Sequence, residues 1–448
     1  MRLIHHGGKD KVTGSCHELR YNKQSILVDC GQFQGKDSKP LDIDFPVKHI
    51  QALVVTHAHI DHIGRIPWLL AAGFKGPIIC THATAELIPL MLDDGLKLNL
   101  GMKKVNRENV LSLVKSRMFP IEYNKWHRIK GCHLGQQSND QSLYCRFQPA
   151  GHILGSAYVE VKLPNNEIVV FSGDLGPSST PLLPDPISPK RADYLVLEST
   201  YGNRNHESVA QRAGRLKEIV NRSLSDGGAI IIPAFSIGRT QELLFDIESL
   251  FHSSGISNDI PIILDSPMAA KVTKSYRRFR KLWGKEAKQK LAKRRHPLAF
   301  EQCTVIHDYK QHLSVVNRLA STGEAAIVVA ASGMCEGGRV MEYLKALLPD
   351  TRTDIIFSGY QAEGTLGREI QSGAKTVVID NKETHVNAQI HTMSGYSAHA
   401  DKDDLLAFVK EIKYPPKEIH LIHGDYVSKN ALLQTLVREG YTQGSIFI

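Results

Sequence analysis

Along this chain an apolar run of strand length repeatedly gives way to a polar loop that opens a helix, and several of those loops carry histidine or aspartate. Alternating strand and helix signals call for layered α/β structure, with chemistry placed where the strands end. One series comprises Ile26 to Asp29, Ala52 to Val55, Phe147 to Pro149 before GHILGS, and Ile168 to Phe171 before SGDLG. Its strands deliver Asp29, the run THAHIDH, His152 and Asp174. A second series, at Ala229 to Pro233, Ile262 to Leu264, Ala326 to Ala331 and Ile355 to Phe357, carries no ligand cluster, so a separate domain is the simplest reading. Both series are expected to be parallel strands with crossover helices, and a helix is expected over Ile63 to Ala71.

THAHIDH sets His57, His59, Asp61 and His62 within one turn of chain. Imidazole and carboxylate are the ligands zinc prefers, and alternate histidines can face one ion while the next Asp–His pair faces another. With 21 His in 448 residues, three at fixed offsets would arise by chance in roughly one window in ten thousand. The competing reading is a histidine-rich surface loop without a role.

A chain of 448 residues exceeds one ordinary core, which suggests two domains of roughly 200 residues each. The longest apolar runs fall far short of the ~20 residues that cross a bilayer. MRLIHHGGKDK lacks the apolar stretch of a secretory signal and reads as a first strand. Seven cysteines form neither a CxxC pattern nor a disulfide framework, so a cytoplasmic protein with no membrane contact is expected. The net charge of +9 is unevenly spread: Lys271 to Arg295 holds twelve Lys or Arg and one acid, Glu286. That density marks an electrostatic footprint for nucleic acid, centred on Arg277, Arg278 and Arg280. The alternative is a solvated helix face. Tyr276, Phe279 and Trp283 lie among these charges at spacings that fit a buried helical stripe better than base stacking.

THAHIDH, GHILGS, SGDLG, the ESTYG that ends the strand at Leu195 to Leu197, SAH around His399 and IHGD around His423 together resemble the metallo-β-lactamase superfamily. IPAFSIGRTQEL and ASGM are similar to its β-CASP branch of RNA-processing nucleases, which includes the nuclease of pre-mRNA cleavage and its prokaryotic homologues. The resemblance implies an α/β protein, a four-layer αββα metallo-β-lactamase core with an inserted α/β β-CASP domain. The core would occupy residues 1–200 and 376–448, the insertion 201–375. Carried over, His57, His59 and His152 would hold one Zn2+, Asp61, His62 and His423 a second, and Asp174 would bridge them, with Mn2+ as an alternative occupant. Asp29 would support the ligand loop from behind. Asp61 and Asp174 would act in catalysis with a proton-donating pair, His399 and Glu198.

Phosphate contacts are expected at strand-to-helix corners: Ser236 and Arg239; Ser332, Gly333 and Met334 before a helix beginning near Gly337; Ser358; and Ser397 beside His399. Turns that merely cap their helices are the alternative. The expected function is hydrolysis of single-stranded RNA by metal-activated water, leaving a 5′-phosphate and a 3′-hydroxyl. His423 favours RNA over DNA by the same resemblance, and the lack of extra flanking domains tilts the expectation to endonucleolytic cutting. A homodimer is compatible with the sequence. The alternatives are a DNA-processing β-CASP nuclease, a small-molecule ester or lactone hydrolase, and a non-catalytic RNA-binding scaffold.

Overall fold

The computed structural model describes residues 1–35, 38–98, 100–129, 141–253 and 260–448. The chain divides into two compact units, the first comprising Met1–Ser178, Pro184–Asn205 and His399–Ile448, the second Ser179–Leu183 and His206–Ala398.

In the first unit a six-stranded sheet runs in the order Arg2–Gly7, Cys16–Tyr21, Gln24–Val28, Ala52–Val54, Ile78–Thr81, Met118–Ile121. A seven-stranded sheet runs Ile446–Phe447, Glu418–Ile422, Tyr194–Glu198, Ile168–Phe171, Ala157–Lys162, Tyr144–Pro149, His127–Arg128. Side chains alternate across each strand. Leu19, Ile26, Val28 and Val54 therefore share one apolar layer with Phe147, Val159, Val161 and Phe171 of the other sheet. The opposite face of the second sheet, with Val170, Leu195, Leu197 and Leu421, buries Leu405 and Phe408 of helix Lys402–Lys410 and Leu432 and Leu436 of helix Tyr426–Arg438. Helix His82–Leu98 packs on strands Ile78–Thr81 and Met118–Ile121, and helix Lys104–Arg117 packs against it. Four layers, αββα, result. Strands covered on both faces read as continuous apolar runs, and each fully buried Val, Leu or Phe contributes about 1.5–3 kcal/mol.

The second unit is built on a six-stranded parallel sheet, in the order Cys303–Val305, Ile262–Asp265, Ala326–Ala330, Ala229–Pro233, Asp354–Phe357, Gln389–Thr392. Helices Tyr309–Thr322 and Val340–Leu347 cover one face through Val316, Leu319, Val340, Tyr343 and Leu344. The second series is thus parallel as expected, within an α/β unit.

Several expectations need correction. The second unit continues to Ala398 rather than stopping at residue 375, because Gln389–Thr392 pairs with Asp354–Phe357 as its edge strand. The first series lacks crossover helices after GHILGS and SGDLG. Gly151 at φ 71° and Gly155 at φ 84° turn the chain back into the antiparallel strand Ala157–Lys162, a conformation glycine adopts without a Cβ penalty. The expected helix Ile63–Ala71 is two pieces, Ile60–Ile63 and Ile66–Ala71. Pro67 at the start of the second has no N–H to continue the first. No helix begins at Gly337, whose φ is 126°; with Gly338 at 74° the helix waits until Val340.

Candidate metal centre and proton donor

Every residue of the expected ligand set lies in the first unit, at the carboxyl ends of its strands. Asp29, just past Gln24–Val28, adopts a left-handed φ of 60° and donates its N–H to Val54 O at 2.9 Å. Its carboxylate accepts the Thr56 N–H at 2.8 Å, the Thr56 hydroxyl at 2.7 Å and the His62 Nδ1–H at 2.8 Å. Asp29 thus holds the THAHIDH loop from behind through Thr56 and His62. Gly31 backs the same loop: a Cβ there would stand 1.5 Å from Asp61 O. His423, past Glu418–Ile422, also sits in the left-handed region at φ 51°, held by its N–H on Gly8 O at 2.7 Å. Strained backbone of this kind persists where surrounding bonds over-determine it, commonly at functional sites.

The donor atoms converge in two groups. His59 Nδ1 stands 3.1 Å from His57 Nε2 and 3.0 Å from His152 Nε2, while Asp174 Oδ2 is 3.4 and 3.5 Å from those two Nε2 atoms. In the second group His62 Nε2 is 3.3 Å from His423 Nε2, 3.6 Å from Asp61 Oδ2 and 3.2 Å from Asp174 Oδ1, with His423 Nε2 3.4 Å from Asp61 Oδ2. Donors around a tetrahedral ion at ~2.1 Å stand about 3.4 Å apart. Both groups have that spacing, and the two oxygens of Asp174 serve one group each. Asp174 Oδ1 is buried and makes no hydrogen bond among the described residues. The set therefore fits two divalent cations, with three imidazoles and a carboxylate at one and two of each at the other. A further grouping of Glu198, His399 and His423 is close enough to hold a cation, but Glu198 is otherwise engaged.

Burial pushes the imidazole of His57 down to about 3 and that of His59 down to about 4. Neutral imidazole is the metal-binding form. Burial works against His62 in the same sense, but Asp174, Asp61 and Asp29 outweigh it and hold this imidazole well above the ordinary 6.5. Asp61 and Asp174 stay ionised despite burial because of the histidines around them.

His399 lies beside the first group, its Nε2 3.9 Å from Asp174 Oδ2 and its Nδ1 3.1 Å from Glu198 Oε2. Burial opposes its protonation, yet Glu198 and then Asp174 hold its affinity above 6.5. The His399 side chain keeps 20% of its surface exposed. Glu198 is fully buried and also accepts the Leu175 N–H at 2.6 Å and the Thr200 hydroxyl at 2.7 Å. Two hydroxyls here escaped sequence reasoning, Thr56 and Thr200. The available signal was their place inside the motifs, directly before His57 and two residues after Glu198.

The expected phosphate contacts sit in the second unit. Ser236, Ser332 and Ser358 follow the adjacent strands Ala229–Pro233, Ala326–Ala330 and Asp354–Phe357. Only the first corner opens a helix directly, Arg239–Ser253, and there the Gly238 N–H is taken by Gln241 Oε1 at 2.7 Å. Gly333 O accepts Gln361 Nε2 at 2.8 Å, and Gly367 N–H donates to Met334 O at 3.2 Å. The buried Ser358 hydroxyl has no hydrogen-bond partner among the described residues. The buried Arg239 guanidinium comes within 3.2 Å of where a Cβ on Gly359 would stand. Ser397 donates its N–H to Ser394 O at 2.8 Å, closing a short turn. In the basic segment Tyr276 and Trp283 are buried and Phe279 is half-buried, but the helix ends at Arg278, so the three do not form one helical stripe. Arg277, Arg278 and Arg280 are exposed, while Lys290 and Arg295 are tied to Glu248 at 3.2 and 2.9 Å.

Residues 10–218 match the model of the metallo-β-lactamase superfamily, 240–370 the Beta-Casp domain, and 383–446 the Zn-dependent metallo-hydrolase RNA specificity domain. The chain is 34% identical to a ribonuclease of Thermus thermophilus over 98% of its own length and 97% of that protein. It is 31% identical to an RNase J-like protein of Methanocaldococcus jannaschii, covering 97% of this chain and 95% of the relative. It is likewise 31% identical to the transcription termination factor FttA of that organism, over 95% of this chain and 67% of the factor. The chain belongs to the β-CASP branch of the metallo-β-lactamase superfamily of metal-dependent hydrolases.

Proposed function

We propose that this protein is a zinc-dependent ribonuclease that hydrolyses phosphodiester bonds of single-stranded RNA, cutting endonucleolytically and leaving 5′-phosphate and 3′-hydroxyl ends. The observation that carries the reading is the pairing of a complete two-cation donor set, joined by Asp174, with His399 backed by Glu198. The match of residues 383–446 to an RNA specificity domain and the ribonuclease relative support RNA as the polymer.

Bound cations would supply Lewis-acid charge at the phosphoryl group and a more acidic water. The chain's own residues do the rest. Asp174 spans both donor groups and sets their separation. Asp61 adds a second carboxylate to one group, so the two differ in charge. His399, with Nδ1 against Glu198, turns Nε2 toward the site, where it holds the proton that the departing 3′ oxygen needs. Ser236, Arg239, Ser332, Gly333, Met334, Ser358 and Ser397 are the proposed phosphate contacts, with Arg277, Arg278 and Arg280 as a longer-range footprint for the RNA backbone.

Zinc-loaded protein incubated with end-labelled single-stranded RNA and DNA of one sequence tests the reading. Internal cuts in RNA with 5′-phosphate ends are expected. Cutting of DNA alone, or of neither polymer, would overturn it, and products shortened only from one end would replace internal cutting by exonuclease action.

A further inference from the structure

The metal-facing histidines have a repeated arrangement behind them. Asp29 Oδ2 takes the Nδ1–H of His62 directly at 2.8 Å and reaches His57 through Thr56, whose hydroxyl lies 2.7 Å from Asp29 Oδ2 and 3.0 Å from His57 Nδ1. Glu198 Oε2 takes the Nδ1–H of His399 directly at 3.1 Å and reaches His423 through Thr200, whose hydroxyl lies 2.7 Å from Glu198 Oε2 and 3.1 Å from His423 Nδ1. Each carboxylate thus serves one histidine itself and a second through a threonine. Each is buried and anchored by a backbone N–H as well, Thr56 for Asp29 at 2.8 Å and Leu175 for Glu198 at 2.6 Å.

A threonine hydroxyl has one proton and two lone pairs. The Thr200 hydroxyl has a second possible acceptor in His423 O at 3.0 Å, but Glu198 Oε2 is nearer, at 2.7 Å, and takes its proton. With its proton committed to Glu198, Thr200 Oγ1 can only accept from His423 Nδ1–H. The other ring contact of that nitrogen, 3.7 Å to Asp174 Oδ1, is too long for a hydrogen bond. His423 is then held with Nδ1 protonated and the Nε2 lone pair aimed at His62 Nε2 and Asp61 Oδ2. Thr56 does the same for His57, whose Nε2 faces His59 and Asp174.

We propose that Thr200 and Thr56 are positioning residues that fix the tautomer and ring orientation of His423 and His57, one in each cation-binding group. The same buried Glu198 that backs the proton donor therefore also steadies a metal ligand. This inference rests on the metal-dependent reading above, and its test needs no RNA.

Zinc binding to the whole chain would be measured by competition with a chromophoric chelator for wild type, Thr200→Val, Thr200→Ser and Thr56→Val, with melting of each metal-free variant followed in parallel. Valine keeps the shape and removes the hydroxyl; serine keeps the hydroxyl. Thr200→Val should weaken one of two zinc ions by roughly 10–100-fold and leave the other unchanged. Thr56→Val should do the same to the opposite ion, and Thr200→Ser should bind as wild type does. Retention of both ions by Thr200→Val would overturn the proposal, as would equal losses in the valine and serine variants or loss of both ions together with a lower metal-free melting temperature. A wild-type chain that binds no zinc would defeat the metal reading and this inference together. Two bound zinc ions without RNA cleavage would defeat only the proposed substrate.

Discussion

At the scale of single residues, the roles proposed for Asp174 and His399 separate metal binding from proton transfer. Asp174→Ala removes the one carboxylate whose oxygens serve both donor groups, so metal content by atomic absorption should fall and cleavage should disappear. His399→Ala leaves both groups whole; zinc content and RNA affinity should persist while single-turnover cleavage slows by roughly two to four orders of magnitude. Equal loss of zinc in the two variants would refute the proton-donor assignment. His152, Asp174 and His423 came from the family resemblance, while the candidate donors of THAHIDH were legible because imidazole and carboxylate at fixed offsets are rare away from chemistry. Thr56 and Thr200 were not, since a threonine beside a strand end has ordinary structural uses and only coordinates show which atom its hydroxyl faces.

At the scale of elements, the ligand loop depends on what lies beneath it. Gly31→Ala would drive a methyl group into the Asp61 carbonyl, so the loop must shift, and both zinc affinity and melting temperature should drop; unchanged values would show that the loop can yield. For the basic segment, replacing Arg277, Arg278 and Arg280 with alanine should reduce the slope of log affinity for single-stranded RNA against log salt by roughly two. An unaltered slope would return that helix face to simple solvation. Strand positions were read well because strands covered on both faces leave continuous apolar runs. Helix starts were read less well: the segments after GHILGS and near Gly337 turn on left-handed glycines, and sequence spacing does not report φ. The pairing of Gln389–Thr392 with the second unit's sheet was not legible for a related reason, since a partly exposed edge strand has too weak an apolar pattern to reveal which sheet it joins.

At the scale of the whole molecule, the histidine cluster ties stability to pH and to metal. Burial holds His57 at about 3, His5 and His59 at about 4, and His17 and His152 well below 6.5. The unfolded chain, with ordinary imidazoles near 6.5, binds protons that the folded one refuses, so this contribution is complete above 6.5 and is lost as pH falls toward 4. His62 and His399, both raised, act in the opposite sense, but the depressed group is larger. Protein stripped of metal by chelation should therefore melt at a lower temperature at pH 5.0 than at pH 7.5; an equal or higher value at pH 5.0 would contradict this. Adding zinc back at pH 7.5 should raise the melting temperature in proportion to the logarithm of its concentration above Kd.

His423 reaches the centre on strand Glu418–Ile422, which pairs with Tyr194–Glu198, more than two hundred residues earlier in the chain. The donors of the first group all lie within the first 174 residues, whereas the second is incomplete until residue 423 has been made. A chain not yet made to that point therefore lacks one of the four donors of the second group.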